Sequence, residues 1–268
     1  MLARCNCGKL PVRPYFKMQE KPDSTLLYID MMGFATLTEN NPDRLEIWES
    51  ADHRYHGSST SKSSNRFMAF HSVLESAIFL NSLRGTIKAM LFSDCAFLEF
   101  GNSLLCTMAT KELMRDFLLK GVPVRMGIGR GTFHLLKFST DFSASIINRS
   151  LFFGTAVVYA HAAERCTEPG FRIFLHPSVE PELEIIRRSL RVLDVTNCEK
   201  AKWEIDFLYE PRPANEEPSP DVKDKELFTA VAKMNDSTVP LNAQRHYAAT
   251  LSALNRMRIA NARATVEI

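Results

Sequence analysis

The pattern of apolar and polar positions is clearest at residues 25–32, TLLYIDMM, where a run of mostly apolar side chains is bounded by polar residues. Such a run predicts a buried strand. Gly33 then permits a sharp turn, and a helix is expected from about Phe34. Asp30 stands near the end of this strand, so a carboxylate occurs where its burial is costly unless a partner such as a metal ion is present.

Two further segments with helical periodicity flank a pair of strand-like runs. Residues 66–83 and 103–120 place apolar side chains at a helical period, which predicts two helices. Between them, residues 86–100 form two strand-like runs that meet at Ser93 and Asp94, which predicts a hairpin. The hairpin therefore carries a second carboxylate near its tip.

The remainder of this region alternates again between strand and helix patterns. Residues 122–137 (VPVRMGIGRGTFHLLK) predict a strand, a glycine-rich bend and another strand, and residues 154–166 predict a helix rich in small residues. Shorter apolar runs predict strands at 171–175, 190–195 and 202–209. Because hairpins are mixed with alternating strands and helices, the predicted fold class is α+β, a mixed sheet flanked by helices rather than a purely parallel sheet.

Local composition divides the chain into four parts. Residues 1–23 lack periodicity and are expected to form an irregular arm, and residues 24–210 form the main domain. Residues 211–221 are proline-rich and predict a linker, and residues 222–268 predict a helical extension. The extension shows no recognisable chemistry, so a packing or dimerisation role is expected for it.

Overall composition argues against several classes of protein. The chain has 268 residues, of which 45% are hydrophobic and 24% charged, and its net charge of +2 offers no large basic field for nucleic acid or membranes. No apolar run approaches the roughly 20 residues of a membrane span, and the first residues lack the apolar core of a signal peptide. The six cysteines are expected to be reduced thiols, and the protein is expected to be cytoplasmic.

Asp30 and Asp94 share a context, because each stands at or near the tip of an apolar strand. Neighbouring strands lie about 4.8 Å apart, and carboxylates at matching levels repel unless cations lie between them. Mg²⁺ and Mn²⁺ take oxygen ligands and often bind through one or two carboxylates plus substrate phosphates, and a pair of such ions assists phosphoryl transfer. The pair therefore indicates phosphate chemistry on a nucleotide, against the alternative of a helix cap and a turn residue.

Five segments, in order, resemble the motifs of the class III nucleotide cyclases across roughly residues 25–210. They are YIDMMGF (28–34), LFSDC (91–95), VRMGIGRG (124–131), FFGTAV (152–157) and GFRIFL (170–175). In the exact residues of these motifs, including FGTAVVYAHAAE at 153–164, the chain most resembles the Pycsar pyrimidine cyclases of bacterial antiphage defence. The resemblance implies a class III cyclase fold with a ferredoxin-like core.

The chain departs from the purine cyclases at the positions that read the base. Those enzymes usually carry a lysine where this chain has Met90, and an acidic or similar residue where it has Leu151. Val158 and Ala162 replace an asparagine and an arginine of the helix that follows. Neither Met90 nor Leu151 can hydrogen-bond a purine edge, which favours a pyrimidine. A purine cyclase with an altered pocket and a non-catalytic nucleotide-binding domain remain as alternatives.

The resemblance also suggests where metal and base would bind. Asp30 and Asp94 would hold two divalent cations, Mn²⁺ or Mg²⁺, with the backbone carbonyl of Met31 as a further ligand. Tyr28 lies two residues before Asp30 and is expected on the same side of the strand, where its ring would shape the base pocket together with Met90. An ordinary core tyrosine is the alternative.

Other residues are candidates to bind the phosphates and to stabilise charge in the transition state. Met32, Gly33 and Phe34 form the turn whose backbone N–H groups are candidates to cradle phosphate oxygens. Arg130 and Arg165 are the candidate cations for charge that builds up in the transition state, with a surface role as the alternative for each.

The resemblance implies a homodimer whose active sites lie at the subunit interface. It implies conversion of UTP into 3′,5′-cyclic UMP with release of pyrophosphate, and a product that acts on a separate effector. CTP, giving cyclic CMP, is the alternative substrate. No nucleic-acid or membrane partner is expected.

Overall fold

A computed structural model describes residues 15–40, 46–49, 55–58, 62–142, 145–196, 198–209, 222–235 and 241–260. Its strands are β1 (Tyr15–Met31), β2 (Glu46–Glu49), β3 (Tyr55–Ser58), β4 (Ile87–Leu91), β5 (Cys95–Phe100), β6 (Val124–Phe142), β7 (Ser145–Phe153), β8 (Ile173–Leu175), β9 (Val192–Asp194) and β10 (Trp203–Ile205). Its helices are α1 (Phe34–Asn40), α2 (Lys62–Ser82), α3 (Ser103–Leu119), α4 (Thr155–Glu164), α5 (Leu183–Ser189), α6 (Val222–Met234) and α7 (Leu241–Ala260), with a 3₁₀ helix at Pro177–Glu182.

Eight of these strands form one mixed sheet. Its order is β4-β5-β1-β6-β8-β10-β9, and β7 pairs with β6 off this path. β1 lies antiparallel to both β5 and β6, whereas β6 and β8 are parallel. The prediction of an α+β fold with a mixed sheet flanked by helices is confirmed. The strands β2 and β3 form a separate antiparallel pair.

The two faces of β1 are buried against different helices. Leu27, Ile29 and Met31 belong to the main core, which also contains side chains of α2 and α3. Leu26 and Tyr28 belong to a second cluster, which contains Ala156 and Ala160 of α4. Burial on both faces explains why this strand lacks strict apolar–polar alternation in the sequence. It also means that Asp30, in step with Leu26 and Tyr28, belongs to the α4 face.

The glycine-rich segment of β6 is straight strand and not a bend. The sequence predicted an interruption at VRMGIGRG, but β6 runs without a break from Val124 to Phe142. A Cβ at Gly127 would lie 2.1 Å from the carbonyl oxygen of Ala160, and a Cβ at Gly129 would lie 2.4 Å from the amide nitrogen of Ala160. These glycines therefore let the backbone of α4 rest directly on the sheet.

The N-terminal boundary differs from the expected irregular arm. β1 begins at Tyr15, and residues 15–21 pair with β6, with a register irregularity between Lys21 and Ser24. The sequence of this stretch shows little apolar–polar alternation. It forms a strand because it pairs with the second half of β6. Residues 1–14 of the expected arm and the predicted linker at 211–221 lie outside the described residues.

The helical pattern beyond residue 222 corresponds to α6 and α7, which pack against the main core. Leu227, Phe228 and Leu254 are buried in the same cluster as side chains of the central sheet. The amide of Phe171 donates to Thr250 Oγ1 at 2.8 Å, which ties α7 to the segment before β8. Within the described parts of the chain, no helix has the length and apolar character needed to cross a membrane.

Candidate active site

Strand pairing brings Asp30 and Asp94 together. β1 pairs with β5 so that Asp30 lies opposite Cys95, the residue after Asp94. The amide of Met31 donates to the carbonyl oxygen of Asp94 at 2.8 Å, which joins the end of β1 to the hairpin tip. Burial, followed by the nearby charge of Asp94, raises the pKa of the Asp30 carboxyl to about 6. The two carboxyl groups therefore share one edge of the sheet and interact electrostatically.

Tyr28 lies beside Asp30, as the strand spacing predicts. Its hydroxyl donates to Asp30 Oδ1 at 3.3 Å. Its ring lies 4.5 Å from the ring of Phe97 and 5.1 Å from that of His161, measured between centroids. Burial raises the pKa of the Tyr28 phenol well above its usual range, so the hydroxyl stays protonated and serves as a donor.

A small polar cavity of about 330 Å³ opens beside these residues on the α4 face. It is lined by Tyr28, Asp30, Arg125, His161, Glu164 and Arg165. Arg165 is exposed and follows the last residue of α4. Its charge acts to lower the pKa of Asp30, so this arginine is near enough to influence a ligand bound there.

Arg125 and Glu164 are cavity residues that were not singled out from the sequence. Arg125 lies opposite Asp30 in the β1–β6 pairing, and its guanidinium donates to the backbone carbonyls of Glu164 and Cys166, each at 2.6 Å. Its Nε lies 3.7 Å from the Glu164 carboxylate. Burial raises the pKa of Glu164 to about 7 even though Arg125 acts in the opposite direction. Both residues occur inside the quoted motifs, but only the packing of α4 on β6 shows that they meet.

The structure does not bring Arg130 to this cavity. Arg130 lies opposite Thr25, five residues before Asp30 in β1 and therefore about 17 Å away along the strand at 3.4 Å per residue. Its guanidinium pairs with Asp23, and with Glu182 at 3.3 Å. Of the two arginines singled out from the sequence, Arg165 is the one beside Asp30.

Met90 lies on the same face as Tyr28. In the ladder of β4, β5 and β1, Met90 is opposite Phe97, which is opposite Tyr28. Met90 packs against the cluster that contains Tyr28. Leu151, at the other purine-reading position, is exposed on β7. Met90 and Phe97 thus pack on the side of Tyr28 towards β4, and neither of them lines the cavity.

The turn after β1 is held by backbone contacts. Gly33 has a φ of 71°, a conformation that favours glycine, and it is followed directly by α1. The amide of Met32 donates to the carbonyl of Pro123 at 2.9 Å, so it is already engaged and not turned towards a phosphate. The ring of Phe34 packs on that of Phe67. Gly33 and Phe34 remain the phosphate-binding candidates at this turn.

The donors at the sheet edge fit hard divalent cations. Among the described residues, no cluster of three or more His, Cys, Asp or Glu side chains forms a closed metal site. Two interacting carboxylates, with the backbone of Met31 bonded to Asp94, leave the other coordination positions to phosphate oxygens and water, as Mg²⁺ and Mn²⁺ commonly require. A cation between Asp30 and Asp94 would relieve the repulsion that raises the pKa of Asp30.

No protein-family model matches the chain, and no curated protein matches it in sequence. Among solved structures, it is similar to the adenylyl cyclase CyaB from P. aeruginosa, with 13% identity, 73% of this chain and 97% of that chain covered, and a TM-score of 0.48. It is also similar to the guanylyl cyclase Cya2, with 14% identity, 75% and 98% coverage and a TM-score of 0.45. A third is the guanylate cyclase domain of RhGC from Catenaria anguillulae in complex with GTP, with 11% identity, 70% and 96% coverage and a TM-score of 0.45. Because these sequence identities and TM-scores are low, function has to be inferred from the residues of this chain.

Proposed function

We propose that the protein is a pyrimidine nucleotide cyclase that converts UTP into 3′,5′-cyclic UMP and pyrophosphate. The observation that carries the proposal is the meeting of Asp30 and Asp94 at one sheet edge, beside a cavity lined by two arginines, Arg125 and Arg165. In the reaction, the ribose 3′-oxygen forms a bond to the α-phosphorus and loses its proton. The bond from the α-phosphorus to the bridging oxygen breaks, and pyrophosphate leaves.

Asp30, Asp94 and the carbonyl of Met31 would hold two Mg²⁺ or Mn²⁺ ions. When bound, such ions lower the pKa of the attacking hydroxyl and neutralise charge on the triphosphate. Arg165 supplies a fixed positive charge at the same cavity, where charge moves towards the leaving group. Arg125 and Glu164 hold the end of α4, and with it Arg165, against the sheet.

The surroundings of Tyr28 support a pyrimidine as the base. The rings of Tyr28 and Phe97 and the side chain of Met90 form a continuous wall on this face of the sheet. A wall of this kind favours a small base, and Met90 offers no hydrogen bond to a purine edge. CTP is the second candidate, because uracil and cytosine have nearly the same size.

The site is proposed to be completed by a second copy of the chain. Phe92, Leu151, Phe153 and Val158 are large apolar side chains on β4–β5, β7 and α4, and they are 45%, 55%, 49% and 63% exposed. A homodimer that covers them would bury these side chains and enclose the open side of the cavity. The resemblance to the Pycsar cyclases further supports a cyclic nucleotide that acts as a second messenger on a separate antiphage effector.

The proposal is tested by incubating the purified protein with each of the four ribonucleoside triphosphates and Mn²⁺ and identifying the products by mass spectrometry. Cyclic UMP is expected as the main product, and Asp94→Asn is expected to abolish it. Asp194→Asn, which changes an exposed aspartate on β9, is the matched control and should leave turnover unchanged. Mainly cyclic CMP would change the substrate to CTP, and mainly cyclic AMP or GMP would refute the pyrimidine assignment. No cyclic product from any triphosphate would refute the cyclase.

A further inference from the structure

A second and much larger cavity lies away from the catalytic carboxylates. It has a volume of about 1330 Å³ and lies between the turn after β1, the start of α2, the end of α3 and the helices α6 and α7. Among the residues that the structure describes, six lysines and arginines line it, against one glutamate, Glu226. The six are Lys62, Arg66, Lys120, Lys225, Lys233 and Arg245.

This concentration of charge is not a property of the whole protein. The chain as a whole carries 33 basic and 31 acidic residues, a net charge of only +2. Among the described residues, the lysines and arginines around the cavity exceed the acidic residues by five. Like charges around one space repel each other and focus a positive field into it, and a bound anion reverses that cost.

Three of the basic residues lie on α6 and α7, and these helices are joined to each other and to the sheet by specific contacts. Lys225, Thr229 and Lys233 all line the cavity and are spaced four residues apart, which places them on one face of α6. Asp224 and Arg258 form a buried ion pair at 3.0 Å that joins α6 to α7. The amide of Gly170 donates to His246 Nδ1 at 3.2 Å, which joins α7 to the loop before β8.

The basic cavity is a different cavity from the one beside Asp30, although it includes Gly33, a phosphate-binding candidate of the active site. The active-site cavity lies on the α4 face of the sheet, whereas the basic cavity lies on the face covered by α3, α6 and α7. The two share no lining residue. They are connected through the turn after β1, because Met32 and Gly33 line the basic cavity and Asp30 precedes them by two residues.

We propose that this cavity is a binding site for a small molecule that carries two or more linked phosphate groups. Phosphate oxygens accept hydrogen bonds from lysine and arginine, and several such contacts at once match the local excess of positive charge. Pyrophosphate and nucleoside polyphosphates share this chemistry. The volume exceeds the roughly 300–1,000 Å³ of ordinary small-molecule sites, so the cavity has room for a nucleoside attached to the phosphates.

The test measures binding by isothermal titration calorimetry on the full chain, in EDTA and about 150 mM salt, where exposed charges more than about 8 Å apart are largely screened. The titrants are inorganic tripolyphosphate, pyrophosphate and ATP. The triple variant Lys225→Ala, Lys233→Ala, Arg245→Ala should weaken tripolyphosphate binding by about tenfold or more, which corresponds to about 1.4 kcal/mol. The control Arg187→Ala, Arg188→Ala, Arg256→Ala removes the same charge at exposed positions that do not line the cavity and should change affinity less than about twofold.

A double variant with Asp30→Asn and Asp94→Asn separates this proposal from the cyclase. It should bind tripolyphosphate as the unaltered protein does, whether or not the protein makes cyclic UMP. ATP binding tighter than tripolyphosphate would identify a nucleotide as the ligand, and equal or weaker ATP binding would identify the phosphates alone. Three results would overturn the site: no binding, equal loss in the cavity and control triple variants, or loss in the aspartate double variant. Tighter binding of a single-stranded oligonucleotide than of any small polyphosphate would also overturn it.

Discussion

At the scale of single residues, Tyr28 lies between an aromatic cluster and the carboxylate of Asp30. Its ring packs between Phe97 and His161, and its hydroxyl donates to Asp30. Under the proposed function, Tyr28→Ala removes the wall that excludes a large base. Discrimination of this steric kind is worth about 1–3 kcal/mol, so the ratio of kcat/KM for ATP to that for UTP should rise about tenfold or more.

Tyr28→Phe is the matched variant for this prediction. It keeps the ring and removes only the hydrogen bond to Asp30, so the preference for UTP should persist while turnover falls moderately. The measurement is kcat/KM for all four triphosphates with each variant. A Tyr28→Ala enzyme that keeps the original selectivity would show that the ring does not contact the base.

Glu164 gives a prediction about stability and pH. Its pKa in the folded protein is about 7, raised mainly by burial from an ordinary value of 4.5. Because the folded state holds this proton more tightly than the unfolded state, Glu164 contributes stability at low pH that is lost as pH rises from about 4.5 to 7. The loss is on the order of 3 kcal/mol. Glu164→Gln should therefore flatten the decline in the free energy of unfolding over this range.

Urea unfolding at several pH values between about 4.5 and 8 measures this effect, as the difference between Glu164→Gln and the unaltered protein. Glu184→Gln is the control, because Glu184 is exposed on α5 and its ion pair with Arg188 is in solvent. The charge of Arg125 acts on the ionised form of Glu164, so its contribution is already included in the pKa of about 7. A difference that stays constant from pH 4.5 to 8 would contradict the raised pKa.

At the scale of elements, the glycines of β6 determine how α4 sits on the sheet. A Cβ at Gly129 would lie 2.4 Å from a backbone nitrogen of α4, and helix backbone cannot move aside as a flexible side chain can. Gly129→Ala should therefore destabilise the fold by about 3 kcal/mol, at the upper end of overpacking effects, and should reduce turnover by displacing Arg165. Gly101→Ala is the control, because nothing lies within 4 Å of a Cβ there. Chemical denaturation measures the stability of both variants. A Gly129→Ala protein as stable as the control would refute the close contact.

The same element shows how far sequence reasoning reaches. The second half of β1, which carries Asp30, and the hairpin carrying Asp94 were predictable, because their apolar runs and polar tips are local features. The continuity of β6 was not predictable. Its glycines make room for the backbone of α4, a helix that comes later in the chain and packs against them. The contact of Arg125 with the end of α4 depends on that same packing, so no local pattern could have indicated it.

At the scale of the whole molecule, the C-terminal helices share one core with the sheet. Phe228 of α6 is 1% exposed, and its cluster includes Leu113 and Phe117 of α3 and Trp203 of β10. A helical extension that folded by itself would leave those α3 side chains without cover. Removal of a buried phenylalanine side chain costs about 3–5 kcal/mol, which is a large part of the stability of an ordinary domain.

Phe228→Ala should therefore lower the stability of the sheet and not only of α6. The measurement is the fluorescence of Trp203 during urea unfolding, in a Trp48→Phe background that leaves Trp203 as the sole tryptophan. A shared core predicts that the Trp203 transition moves to lower urea by an amount that corresponds to about 3–5 kcal/mol, in step with the loss of helical circular dichroism. Arg256→Ala, at an exposed position of α7, is the control and should leave the midpoint unchanged. If Phe228→Ala lowers helicity at a urea concentration that leaves the Trp203 signal unaffected, α6 and α7 unfold independently of the sheet. The basic cavity would then open before the strand ends that carry Asp30 and Asp94 unfold.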